Sequence, residues 1–279
     1  MGAIVSKRWL LARMFEPDIV IIDCRFLLGE REAGYEAYLE AHIPGAVYLD
    51  LERDLSGPSG SFGGRHPLPD RDAFVQTVRK AGIGNNSRVV AYDDQGGAMA
   101  ARFWWMLRYL GHEAVFVLDE GFQSWQQAGF PVTADRKVLV PAYFEPRLRP
   151  DLVADVAQVQ AKLHQQGVVL IDSREAPRYR GETEPIDAVA GHIPGAVNLF
   201  WKDNIAADGA WKSADQLRER FAAFAEGAEE FIVYCGSGVT ACSNVLALTE
   251  AGFKTVKLYA GSWSDWISYS ENPIATGEE

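Results

Sequence analysis

The stretch Cys235-Gly236-Ser237-Gly238-Val239-Thr240-Ala241 places a thiol at the end of an apolar run, Phe231-Ile232-Val233-Tyr234, and just before a helical stretch. Glycines let such a loop curl until successive backbone N–H groups point at the sulfur, and the dipole of the helix that follows adds to that field. Both effects favour the thiolate, the form in which cysteine is a nucleophile. Cys24 lies inside a predicted strand and Cys242 one position beyond the loop, inside the helical stretch. Both read as core packing.

The elements that hold this loop occur twice. Ala41 to Leu51 reads AHIPGAVYLDL and Gly191 to Trp201 reads GHIPGAVNLFW, with six consecutive identities from His42 and from His192. Upstream of each copy an apolar run closes in Asp-x-Arg, at Asp23/Arg25 and at Asp172/Arg174. Downstream, RVVAYDD (Arg88 to Asp94) corresponds to FIVYCGS (Phe231 to Ser237), so Asp93 stands where the other copy has Cys235. Aromatic pairs, Phe122/Trp125 and Trp263/Trp266, close each half. His42, His192 and the Asp-x-Arg pairs belong to both copies and are read as structural, the latter as ion pairs near the sheet.

Continuous apolar runs such as VVLID and FIVY are the mark of parallel strands buried on both faces. Ser213 to Ala225 opens with Ser-x-x-Gln, a capping box, and puts Leu217, Phe221 and Phe224 on one face of a helix. Alternating strands and helices imply an α/β fold with a mainly parallel sheet flanked by helices in each half. The expected domains are residues 1–135 and 151–279. The stretch 136–150, with prolines at 141, 146 and 150, is read as a stiff linker.

Composition narrows the classes further. With 27 lysines and arginines against 38 acids, the net charge of −11 repels phosphate backbones and anionic lipid, which argues against nucleic acid and membrane partners. Three cysteines without a Cys-x-x-Cys spacing fit a reducing compartment, and Met1 to Phe15 lacks the apolar core of a signal peptide, so a cytoplasmic location is expected. No run reaches the roughly 18 apolar residues of a membrane span. Walker, H-E-x-x-H and clustered His/Cys patterns are absent from the sequence, so no cofactor or metal is expected.

The tandem Asp-x-Arg, His-Ile-Pro-Gly-Ala and strand–loop–helix pattern resembles the two-domain rhodanese, or sulfurtransferase, family over essentially the whole chain. The Cys235–Ala241 loop resembles in particular that of mercaptopyruvate sulfurtransferases. The resemblance implies tandem rhodanese-like domains, the first inactive and the second catalytic, with the site between them. It also implies a persulfide on Cys235, loaded by a small sulfur donor and discharged to cyanide, a small thiol or a thioredoxin-like protein. Gly236, Gly238, Val239 and Thr240 are then expected to contact the substrate.

Rhodanese loops typically carry Arg and Lys directly after the cysteine to bind the thiosulfate dianion, where this chain has Gly236 and Ser237. That substitution favours mercaptopyruvate, with thiosulfate as the alternative donor. By resemblance, Ser237 and a histidine, His66 in GGRHPLPD, relay a proton to the enolate that develops as sulfur leaves. Asp50 or Glu52 would orient that histidine. Arg178 lies where the family places its first carboxylate-binding arginine, whereas the position of the second holds Ile186. Arg180 alternates with Tyr179 and points elsewhere. A cysteine phosphatase would need an arginine at the end of the loop, where Thr240-Ala241 stands. A non-enzymatic sulfur carrier would need Cys235 but not Ser237 or His66.

Overall fold

A computed structural model describes residues 2–278. Five parallel strands form a first sheet: β1 (Ile4–Val5), β2 (Ile19–Asp23), β3 (Ala46–Tyr48), β4 (Arg88–Tyr92) and β5 (Val115–Leu118), in the order β1-β5-β4-β2-β3. Five more form a second: β6 (Val153–Ala154), β7 (Val168–Asp172), β8 (Ala196–Asn198), β9 (Glu230–Tyr234) and β10 (Val256–Tyr259), in the order β6-β10-β9-β7-β8. The repeat therefore extends to strand order. It also extends to register, since Asp23 pairs with Tyr92 in one sheet and Asp172 with Tyr234 in the other.

The chain divides into two compact units. The first holds residues 1–57, 68–149 and 205–211, and the second holds 58–67, 150–204 and 212–279. The stretch carrying His66 thus belongs to the second unit although it lies early in the chain. Residues 136–149 carry no regular structure. They run along the first unit through Ala142 N–H to the Arg79 carbonyl and Arg147 N–H to the Leu110 carbonyl, with Phe144 buried. The amino-terminal stretch, from its second residue onward, enters the first sheet through β1, which pairs with β5.

Why these residues make these elements is visible in the second unit. Every residue of β9 is buried, and Leu170 to Asp172 of β7 are too, as runs flanked by helices on both faces require. The helix Ala214–Ala225 starts at a capping box made by Ser213 and Gln216 and buries Leu217 and Phe221, while Phe224 is half-buried. Trp263 and Trp266 fill the core beside Tyr234 and Tyr259. Each such fully buried side chain contributes roughly 1.5–3 kcal/mol of burial.

The duplicated polar residues are structural in both halves. Arg25 pairs with Asp23 at 2.7 Å and Arg174 with Asp172 at 2.6 Å, each through several N–H groups. Burial alone would make Arg174 less basic, but the Asp172 carboxylate beside it outweighs burial and pushes it up. His42 and His192 are fully buried, each bonding through Nδ1 at 2.7 Å to a carbonyl, of Tyr38 and Tyr179 respectively. Each ring also stacks on that same tyrosine.

Candidate active site

Beyond the carboxyl end of β9 the chain turns through Cys235 into the helix Ala241–Glu250. Such strand ends are where open α/β sheets place ligands. Gly238 has φ +76, and a Cβ there would lie 2.1 Å from the Ala260 carbonyl oxygen, so only glycine lets the loop close against the next strand's end. The loop is held from behind by the segment that follows β10. Trp263 N–H donates to the Cys235 carbonyl and Ser264 N–H to the Gly236 carbonyl, both at 3.0 Å. Ser262, at the unusual φ of +57, accepts the Cys235 N–H on its hydroxyl at 3.1 Å. Cys235, Gly236, Ser237, Gly238 and Val239 are buried, and Thr240 is half-buried at the helix start.

The same segment anchors the stretch carrying His66. Asp265 accepts the Gly63 N–H at 2.7 Å, and the Ser264 hydroxyl accepts the Arg65 N–H at 3.1 Å. His66 is thereby brought to the loop, its Nδ1 lying 2.8 Å from the Ser237 hydroxyl oxygen. Cys235, Ser237 and His66 thus lie within the second unit.

Arg178, from the short helix Ala176–Tyr179, reaches the same place. Its guanidinium bonds Glu184 at 2.7 Å and Asp187 at 3.0 Å. Ile186 is exposed and only its backbone takes part, donating to Glu184. Arg180 pairs with Glu182 and Glu278 at the surface. Asp50 lies in the first unit, buried, and accepts from the Tyr48 hydroxyl and from the N–H groups of Glu52 and Arg53. Glu52 is partly exposed and pairs with Arg31 at 3.3 Å.

Sequence reasoning missed two charged groups at this site. Arg65 places Nη2 3.0 Å from the point where a Cβ on Gly236 would sit, and Arg178 places Nη2 at 3.5 Å from that same point. Asp187, buried, takes both guanidiniums, Arg65 on Oδ1 and Arg178 on Oδ2. Arg65 stands immediately before His66, so its charge was visible, but no spacing rule ties residue 65 to residue 236.

The model of the rhodanese-like domain matches this chain twice, over residues 6–128 and 155–269. The chain belongs to the rhodanese family, in its two-domain sulfurtransferase form. It is 46% identical to a probable 3-mercaptopyruvate sulfurtransferase of Pseudomonas aeruginosa, over 99% of this chain and 98% of that one. It is 38% identical to the thiosulfate sulfurtransferase of Bos taurus, over 95% and 92% of the two chains. Among solved structures it resembles SseA from Escherichia coli, described as a 3-mercaptopyruvate sulfotransferase. That match has a TM-score of 0.82 and 34% identity, covering 95% of this chain and all of that one. As a rhodanese-family sulfurtransferase, the protein acts on a sulfur donor and a sulfur acceptor. Among the described residues, no helix is long and apolar enough to cross a membrane.

Proposed function

We propose that this sulfurtransferase takes sulfur from 3-mercaptopyruvate onto Cys235 and passes it to a small thiol, to cyanide or to a reduced thioredoxin-like protein. The observation that carries this reading is the hydrogen bond between His66 Nδ1 and the Ser237 hydroxyl, two residues beyond the thiol. The Cys235 thiolate attacks the donor's sulfur, an S–S bond forms and the donor's C–S bond breaks. The bonding pair passes into the three-carbon fragment as the enolate of pyruvate. Ser237 and His66 are the proton path to that enolate, and Arg178 grips its carboxylate. Backbone N–H groups of Gly236, Gly238, Val239 and Thr240 surround the sulfur and stabilise the persulfide anion. The acceptor then attacks the outer sulfur and Cys235 leaves as thiolate.

The second unit is taken as the catalytic half, with Asp93 standing in the first where a cysteine would be needed. The domain limits 1–135 and 151–279 are kept as the evolutionary halves. The role of Asp50 in orienting His66 rests on the family resemblance, and its burial favours it over the more exposed Glu52. A cytoplasmic location is supported by the absence of any disulfide among the described residues.

Thiosulfate is a second reading with an observation of its own. Arg65 restores a cation beside Gly236, the position where rhodanese loops carry one. Incubation with each donor separately, followed by intact mass measurement, tests both readings. The wild type should gain one sulfur and Cys235→Ala none. A sulfur retained by Cys235→Ala, or a wild type that neither donor loads, would overturn the carrier. Ser237→Ala should slow turnover of mercaptopyruvate by about 10²-fold and of thiosulfate far less. Equal losses would remove Ser237 from the proton path.

A further inference from the structure

We infer that the cavity at the carboxyl ends of β7 and β8 is a subsite for a small zwitterion, a molecule carrying one ammonium and one carboxylate, and that amino-acid thiols use it as sulfur acceptors. The inference rests on Cys235 being the sulfur carrier.

The cavity holds about 700 Å³, and its lining residues all belong to the second unit. That volume is typical of sites for small molecules. Leu199 and Phe200 supply apolar wall. Two cations, Lys212 and Arg220, and two carboxylates, Glu175 and Asp203, line the same space. Among the described residues, none of these four is joined to another side chain by an ion pair. Charges of both signs held apart around one hollow are satisfied together by a ligand that brings one charge of each sign. A singly charged ligand would answer only the cations or only the carboxylates.

Arg220 is held in place from the helix Ala214–Ala225. Its Nη2 donates to the Phe200 carbonyl at 2.7 Å and its Nη1 to Asn244 Oδ1 at 3.4 Å. Asn244 donates in turn to the Leu199 carbonyl at 2.7 Å and to the Ser173 hydroxyl at 2.9 Å. The guanidinium is thus oriented by neutral oxygens, which leaves the rest of its fork of donors for a carboxylate. Burial makes Arg220 less basic, and the charge of Asp203 opposes that. A ligand's carboxylate would replace the water that burial has removed.

The cavity lies beside the thiol loop. In the sheet β7 separates β9 from β8. With strands about 4.8 Å apart, the ends of β7 and β8 stand roughly 5–10 Å from the end of β9, where the loop begins. In the transfer, the acceptor thiolate forms an S–S bond to the outer sulfur and the bond from that sulfur to Cys235 breaks. Cys235 keeps the bonding pair as thiolate and the acceptor leaves as a persulfide, with no oxidant or reductant consumed.

Four thiols offered to preloaded enzyme separate the charges. Cysteine carries both, cysteamine the ammonium, 3-mercaptopropionate the carboxylate and 2-mercaptoethanol neither. Comparing each thiol between wild type and variant cancels its own reactivity. Lys212→Met should raise KM about 5-fold for cysteine and 3-mercaptopropionate, and Asp203→Asn about 5-fold for cysteine and cysteamine. Neither change should affect 2-mercaptoethanol. A KM for cysteine unmoved in both variants, or all four thiols weakened alike, would overturn the inference. S-methylcysteine has both charges and no thiol, so it should bind the unloaded wild type, seen by saturation-transfer NMR, and not the Lys212→Met/Asp203→Asn double variant. No binding to the wild type, or equal binding to both, would overturn the subsite. Failure of both donors to load the wild type would instead remove the proposed function, and S-methylcysteine would still decide the subsite.

Discussion

The loops that follow β4 and β9 have the same frame and different contents. In one, Phe122 N–H donates to the Asp93 carbonyl and Cys24 N–H to the Tyr92 carbonyl. In the other, Trp263 N–H donates to the Cys235 carbonyl and Ser173 N–H to the Tyr234 carbonyl. The Asp93 carboxylate then folds back into its own loop. Oδ1 accepts from Gln95 and Gly97, and Oδ2 from Met99 and Ala100, all within 2.9 Å. Burial pushes the Asp93 carboxyl up, and those four N–H groups pull it back toward the charged form. In the first loop a ring of donors thus closes on a carboxylate where a strand turns through glycines into a helix. The side chain at that position is what differs: a carboxylate, Asp93, in the first loop and a thiol, Cys235, in the second.

The support behind each loop differs too. Gly121 packs where a Cβ would lie 2.5 Å from the Asp93 carbonyl oxygen, while the corresponding Ser262 fits and offers its hydroxyl to the Cys235 N–H. A serine held at positive φ costs about 1–2 kcal/mol of backbone strain. That cost is retained beside the thiol loop, where the hydroxyl has a hydrogen bond to make.

Making the second loop a copy of the first is the most drastic test. Cys235→Asp should fill the ring with a carboxylate and reduce sulfur transfer by at least about 10³-fold while the protein stays folded. Unfolding of this variant at room temperature, seen by circular dichroism, would break the equivalence of the two frames. The converse change acts on stability. Asp93→Ala strips four N–H groups, three of them buried, of their acceptor and should cost about 3 kcal/mol in urea denaturation. A loss below about 1 kcal/mol would mean that water satisfies that loop readily. Smallest of the three, Ser262→Ala removes one acceptor from the Cys235 N–H and should cost about 1 kcal/mol. It should also slow sulfur loading of Cys235 a few-fold, measured by stopped-flow with excess donor. If loading is unaffected, Ser262 supports the fold without tuning the thiol.

Local sequence patterns carried much of this. The repeated hexapeptide, the apolar strand runs and the Ser213/Gln216 cap announced two parallel α/β sheets, because strand burial and helix capping depend on residues a few positions apart. The Gly-Ser-Gly turn after Cys235 announced a thiol loop for the same reason, since backbone conformation there is limited by which residues lack a Cβ. The partners of the thiol were harder to read. His66 meets Ser237 across 171 positions of chain, and the resemblance, rather than any periodicity, pointed to it.

Arg65 and Asp187 were not legible, because no local spacing ties residue 65 to residues 187 and 236. What brings Arg65 there is the anchoring of residues 58–67 on the turn after β10, through Asp265 and Ser264. Short-range sterics and hydrogen bonding set each element and each turn, and those are written in neighbouring residues. Which distant charges share a site is set by how loops pack once the sheets exist, and only the folded chain brings them together.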